Sequence, residues 1–246
     1  MGGALAIGLS RRGYPVVAVS SQSKTSAVNL ARTISGCQAL SSNQEVAEAA
    51  ELVFITTPDD AIAGAAAEIK WHPGQWVVHC SGADSTDILA GARQAGAAVG
   101  VFHPLQTFAG SQQALKNMPG TTFALEAEGP LLATLKKMAE VLGGRWIELR
   151  SEDKVIYHAA AVFACNYLVT LVKLAADLWR TFGIAPEPAV RALLPLLRGT
   201  INNIDTVGIP ECLTGPIARG DAGTIKKHLS ALQKMVPDLL STYREL

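Results

Sequence analysis

Apolar residues arrive in two regimes along the chain: short bursts up to about residue 150, then long runs with helical spacing. The bursts Pro15 to Val19, Leu52 to Thr56, Trp76 to Cys80, Val99 to Phe102, Thr122 to Leu125 and Trp146 to Leu149 predict buried strands. Between them, Ser26 to Ile34, Ala61 to Ile69, Thr86 to Ala95 and Pro130 to Leu142 have the period of amphipathic helices. Strands alternating with helices predict βαβ units, hence a parallel sheet covered on both faces. From Ser151 the pattern is helical to the end. One helix from about Glu152 to Phe182 is apolar nearly all round, which predicts that it is buried, and Gly183 stops it. Further helices are predicted at about Pro188 to Thr206, Glu211 to Arg219 and Asp221 to Tyr243, with Asp221 as an N-cap and Gly208-Ile209-Pro210 as a break. The expected organisation is an α/β domain over residues 1–150 and an all-α domain over residues 151–246, with no flexible linker between them.

At 246 residues, 49% hydrophobic and 17% charged, the chain is large enough for two packed domains and too apolar to be disordered. Lys+Arg and Asp+Glu both number 21, so no global field draws in nucleic acid or an anionic membrane; a small-molecule ligand is expected instead. Cys37, Cys80, Cys165 and Cys212 form no C-x-x-C pair and sit mostly in apolar runs, which predicts free buried thiols in a reducing cytoplasm. Met1-Gly2-Gly3 shows neither a basic n-region nor a cleavage site. The most apolar stretch, Ala159 to Val172, is short for a bilayer span and contains Asn166, so no membrane segment is expected.

Candidate chemistry gathers at the predicted strand ends. Met1-Gly2-Gly3-Ala4-Leu5-Ala6 reads as the back half of a G-x-G-x-x-G dinucleotide fingerprint, with Gly2 as its last glycine and the small residues as the face packed on the sheet. On that reading the first strand and first two glycines belong upstream of Met1; a plain amphipathic helix is the competing reading. Val19 is followed by Ser20, Ser21, Gln22, Ser23 and Lys24 where an NAD site would place a carboxylate, so this loop favours the 2′-phosphate of NADP. An ordinary polar turn has the same composition. Thr57-Pro58 begins a rigid loop beside the expected cofactor, and Asp59 or Asp60 caps the next helix. Ser81-Gly82 offers a hydroxyl and an approachable N–H to a substrate carboxylate or carbonyl, or makes a simple turn. His103, held by Pro104 at a strand end, suits a general acid, a carbonyl-orienting group or a hydrogen-bonded wall residue. His158 and Asn166, eight residues apart on the long helix, fall on roughly one face and need partners, either a ligand or a helix of a second subunit. No histidine or cysteine pair has metal-ligand spacing, so no metal is expected.

The succession T-T-P-D-D-A-I, H-C-S-G-A, G-V-F-H-P-L-Q-T-F, Y-H-A-A-A-V-F-A-C-N-Y-L and L-T-G-P-I-A-R-G-D resembles uncharacterised bacterial Rossmann-like oxidoreductases with an all-helical C-terminal domain of unknown function. These are relatives of pyrroline-5-carboxylate reductase and the β-hydroxyacid dehydrogenases. The resemblance implies a Rossmann-type parallel sheet lacking its N-terminal strand, an all-α C-terminal domain, NADP as cofactor, and a homodimer through the C-terminal helices. It maps Gly2 to the third fingerprint glycine, Ser20 to Lys24 to the ribose-phosphate loop, Thr57-Pro58 to the cofactor border and Ser81-Gly82 to the substrate loop. Asn166 corresponds to the asparagine of the β-hydroxyacid dehydrogenases, but Val162 stands where those enzymes carry a lysine. His103 or His158 is therefore expected to serve the proton. The implied function is hydride transfer to or from a small carbonyl, imine or hydroxy acid between the two domains; the alternative is an NADP-binding sensor or scaffold without catalysis.

Overall fold

A computed structural model describes residues 1–108 and 110–246. The chain forms two compact units, Met1–Val162 and Phe163–Leu246, which divide inside the long helical run rather than at its start.

In the first unit the strands are β1 (Ala18–Val19), β2 (Gln38–Ala39), β3 (Leu52–Ile55), β4 (Trp76–His79), β5 (Ala98–Pro104), β6 (Thr122–Glu126) and β7 (Arg145–Glu148). The helices are α1 (Gly2–Ser10), α2 (Lys24–Arg32), α3 (Asn43–Ala49), α4 (Asp59–Ala67), α5 (Ala90–Gln94), α6 (Ser111–Asn117), α7 (Gly129–Val141) and α8 (Lys154–Ala161). Strands β3 to β7 form one sheet in sequence order, while β1 and β2 pair in a separate parallel ribbon. The sheet is mostly parallel, as the alternation predicts. One junction differs: β6 runs antiparallel to β5. An apolar burst fixes that a strand is buried but not its direction, and an antiparallel neighbour needs no helical crossover on the sheet face.

Helices cover both faces of the sheet, so successive residues of β4 enter different cores: Val78 packs with Leu5, Leu135 and Phe102, and Val77 with Ile62, Leu89 and Trp71. Phe102 stacks on Phe123 across the β5–β6 pair at 4.6 Å between ring centroids. Two elements lie where no apolar run announces them. β2 is a two-residue exposed strand. Before α3, the Ser42 hydroxyl accepts from the Glu45 N–H at 3.2 Å, and Glu45 accepts from the Ser42 N–H at 3.1 Å. This capping box is legible as S-x-x-E.

The second unit contains α9 (Tyr167–Trp179), α10 (Pro186–Val207), α11 (Gly215–Ala218), α12 (Ala222–Met235) and α13 (Leu240–Glu245). Gly183 ends the long run with φ +85°, a left-handed cap that a side chain would strain. Asp221 caps α12, accepting from the Thr224 N–H at 2.9 Å. The predicted helix to Tyr243 breaks at Pro237, which lacks an N–H, and the predicted helix from Glu211 shrinks to α11.

Two expectations from apolar content are corrected. Only Cys80 of the four free cysteines is buried. The long helical run, Ser151–Phe182, presents Val155, Ile156, Phe163 and Val169 at about 67–72% exposure instead of burying them. Apolar pattern states that a face needs cover, and the cover need not come from the same chain. By length and composition this run is also sufficient to cross a membrane, against the expectation drawn from Ala159 to Val172 alone.

Candidate active site

The site grows from the ends of β4 and β5, neighbouring parallel strands whose residues His79 and Val101 are paired. After β4 the chain turns through Cys80, Ser81 and Gly82, pinned by His79, which is wholly buried. The His79 Nε2–H donates to the Ser85 carbonyl at 3.1 Å, and Nδ1 accepts the Ser81 N–H at 3.2 Å. Both ring nitrogens are satisfied by a neutral imidazole; burial, with Lys154 adding to it, holds the ring below the ordinary histidine range. The Ser81 hydroxyl accepts from the N–H groups of Ala83 and Asp84 at 3.3 and 3.1 Å. It also lies 2.9 Å from a carboxylate oxygen of both Asp59 and Asp84. With a single hydrogen it donates to one of them at a time, tying the loop after β3 to the loop after β4.

His103, on β5, reaches toward the same turn. Its Nδ1 lies 2.9 Å from the Tyr157 hydroxyl of α8. Burial first, then the positive charge of Lys154 and the nearby His158 and His79, push the His103 pKa down to about 4. Burial also pushes Tyr157 up to about 12. At neutral pH both are uncharged. A phenol that keeps its proton donates to Nδ1, which leaves the proton of the imidazole on Nε2. That nitrogen faces Gly82: a Cβ added there would lie 2.8 Å from His103 Nε2 and 2.7 Å from His158 Cδ2. The rings of His103 and His158 are 6.3 Å apart between centroids, and the hydrogen edge of Gly82 fills the space between them. His103, His158, Ser81 and Gly82, all named from the sequence, therefore meet in one place.

Behind the turn lies a charge pair that the apolar pattern concealed. Lys154, only 1% exposed, places Nζ 3.3 Å from the Ser81 carbonyl oxygen and 3.9 Å from Glu126 Oε2. Glu126 Oε1 accepts from the Thr86 N–H and hydroxyl at 3.1 and 2.7 Å and from the Ser151 hydroxyl at 2.8 Å. Its Oε2 has no hydrogen-bond partner among the described residues. Burial lowers the Lys154 pKa, opposed by the carboxylates of Glu126, Asp84 and Asp59. The sequence offered little warning of this pair, because a lysine at the start of a helix is ordinarily solvated. A cleft of about 710 Å³ shares Thr86 and Glu126 with this network but is not lined by Gly82, His103 or His158. The histidine cluster thus lies outside this cleft.

The remaining predicted residues lie apart from this cluster. Gly2 opens α1 against the loop after β3; a Cβ there would overlap the Thr56 hydroxyl, so the close approach requires glycine. Thr57 and Pro58 are exposed in that loop. It ends at Asp59, which serves Ser81 rather than capping α4, whose N-cap Pro58 makes no side-chain bond. After β1, Ser20 donates to Asn43 Oδ1 at 2.8 Å, Ser21 accepts from the Ser23 N–H at 3.3 Å, and Ser23 caps α2 by accepting from the Ser26 N–H at 3.3 Å. Lys24 begins α2, exposed. Asn166 is exposed in the second unit, and a π-helical turn, Val162–Asn166, changes the angular step between it and His158.

Residues 121–246 match the model of DUF2520, a domain of unknown function. The chain belongs to this family. Residues 1–104 of this DUF2520 protein match a Rossmann-like domain, so the order of domains is a Rossmann-type sheet followed by a helical region. Among solved structures it is similar to a Bacteroides fragilis protein named as a candidate NADP oxidoreductase (27% identity, 98% of this chain and 90% of that one, TM-score 0.76). A protein of Thermotoga maritima matches equally well (27% identity, 100% and 95%, TM-score 0.76). The Plasmodium falciparum pyrroline carboxylate reductase, solved with NADP, shares the fold at 15% identity over 98% of this chain and 91% of that one, with a TM-score of 0.63. No curated protein matches the chain.

Proposed function

We propose that this DUF2520 protein is an NADP-dependent oxidoreductase that transfers a hydride to or from a small carbonyl, imine or hydroxy acid. The observation that carries the reading is the convergence of His103 Nε2, His158 and the Ser81–Gly82 turn at the C-terminal ends of β4 and β5, where ligands bind in doubly wound sheets. The name of the 27%-identical Bacteroides protein supports it. The residues present fit a nicotinamide dinucleotide. Gly2 lets α1 pack closely on the loop after β3, the role of the last fingerprint glycine, and the end of β1 offers Ser21, Ser23 and Lys24 as donors for a 2′-phosphate, with no carboxylate among them, beside Ser20, whose hydrogen goes to Asn43. Such a cofactor supplies the hydride.

The protein's own groups do the rest. Neutral His103, oriented by Tyr157, donates from Nε2 to a substrate oxygen or nitrogen; its low pKa suits polarisation rather than delivery of a proton from a charged ring. His158, across Gly82, is then the residue to which we give the proton. The exposed apolar residues of the Ser151–Phe182 run are proposed to be covered by a second copy of the chain in a homodimer, and the protein to act in the cytoplasm. The test is NADPH binding by calorimetry together with loss of NADPH absorbance across a panel of small carbonyls, imines and hydroxy acids. Turnover that survives in both His103→Ala and His158→Ala would sink the assignment. Tight NADPH binding without turnover of any panel member would favour the sensor or scaffold.

A further inference from the structure

The Ser81–Gly82 peptide is gripped at one end and open at the other. Its carbonyl oxygen is the acceptor within hydrogen-bond reach of the Lys154 ammonium, at 3.3 Å. Its N–H, on buried Gly82, has no acceptor among the described residues, although the flanking N–H groups of Ser81, Ala83 and Asp84 are all satisfied. A buried N–H left without a partner in a turn this well bonded is rare. The glycine edge beside it faces His103 and His158.

A lysine present only to neutralise Glu126 would be expected within hydrogen-bond distance of the carboxylate. Here the carboxylate oxygen is 3.9 Å away and unpartnered, while the amine reaches the carbonyl. Carbonyl and N–H share one conjugated plane, so a positive charge drawing on the oxygen increases the positive charge on the amide hydrogen. Ser81, Gly82 and Lys154 are all buried, and a charge-assisted bond to a peptide oxygen is roughly twice as strong as a neutral one.

We propose that Lys154 is a positioning residue that polarises the Ser81–Gly82 peptide, making the Gly82 N–H a strengthened donor to a substrate oxygen or carboxylate held beside His103. The identity of that acceptor rests on the oxidoreductase reading; the polarisation belongs to the folded chain alone. The groups facing the Lys154 amine are Glu126 from β6, Asp59 from α4, Cys80 and Asp84 from the turn, and His79 and His103 from β4 and β5.

The experiment is a pH titration of the Gly82 amide nitrogen by NMR in the full chain, carrying carbonyl-labelled serine and nitrogen-labelled glycine. Only two Ser-Gly steps exist, Ser35-Gly36 and Ser81-Gly82, and exposed Gly36 serves as the internal control. The Gly82 signal is expected to inflect below the ordinary lysine value of about 10.4, and the Gly36 signal to stay flat. Lys154→Met removes the inflection, and Lys154→Arg holds Gly82 near its low-pH position throughout, because arginine keeps its charge. If Lys154→Met does not fold, Glu126→Gln carries the test: loss of the facing carboxylate moves the inflection down by roughly 1–3 pH units. A flat Gly82 signal in the unmodified protein, an inflection that persists in Lys154→Met, or one unmoved by Glu126→Gln overturns the proposal. Since none of these readings needs cofactor, absence of NADPH binding would defeat the functional reading and leave this result standing.

Discussion

Replacing Gly82 with alanine isolates the geometry on which the site depends. Gly82 does not have positive φ, so alanine meets no backbone strain there. Alone, the loss of unfolded-state freedom would stabilise the protein by about 0.4–1 kcal/mol. The new Cβ, however, would lie 2.7 Å from His158 and 2.8 Å from His103, where carbon contacts settle at roughly 3.5–4.0 Å. Relief requires a ring to move by about 1 Å. His103 is bonded to Tyr157 on its far side, so it resists. Overpacking of this kind costs about 1–3 kcal/mol. The steric term wins, leaving a net loss on the order of 1–2 kcal/mol and a fall in melting temperature of about 2–8 °C. Gly91→Ala is the control: it sits in α5 with open space around its Cβ position and should gain up to about 1 kcal/mol. Thermal unfolding measures both variants, and the histidine ring signals report the displacement. A Gly82→Ala protein as stable as the parent, with unmoved His103 and His158 signals, would refute the close fit of Gly82 between the two rings.

His103 binds its proton only near pH 4 when folded but near about 6.5 when unfolded. Its contribution is therefore intact above pH 6.5 and is lost, by up to about 1.4 kcal/mol per pH unit, as pH falls through that window; urea unfolding from pH 7.5 to 4.5 should show a shallower loss in His103→Gln. Lys24→Glu should cut NADPH affinity at least about tenfold while leaving NADH binding little changed, and an unaltered NADPH to NADH ratio in calorimetry would remove Lys24 from the phosphate site. Phe163→Glu places a charge on a 68%-exposed apolar residue and should convert the proposed homodimer to monomers in sedimentation. A sedimentation profile identical to the parent would mean that this residue lies outside the interface. Ser23→Ala should cost about 0.5–2 kcal/mol by uncapping α2, which denaturant unfolding can read.

Strand existence, helix existence and the change of class near residue 150 were legible because burial leaves a periodic trace in sequence. The apolar bursts from Leu52 to Leu149 all fall on strands, and Gly183 and Asp221 act as the stop and cap their chemistry predicts. Direction left no trace, hence the antiparallel β6, and neither did cover, hence the exposed face of a helix expected to be buried. Strand-end logic also picked out Ser81, Gly82 and His103, because a parallel sheet gathers the residues that follow its strands at one edge, whereas His158 was picked out as a polar residue on an apolar helix. What the sequence alone determined was the kind of element at each place and the polar residues stranded at its ends. Only the tertiary structure decided that Gly82 separates two imidazoles, that Tyr157 orients one of them, and that Lys154 lies buried against the Ser81 carbonyl. Those relations join residues far apart in sequence, and a distance set by packing has no period along the chain from which it could be read.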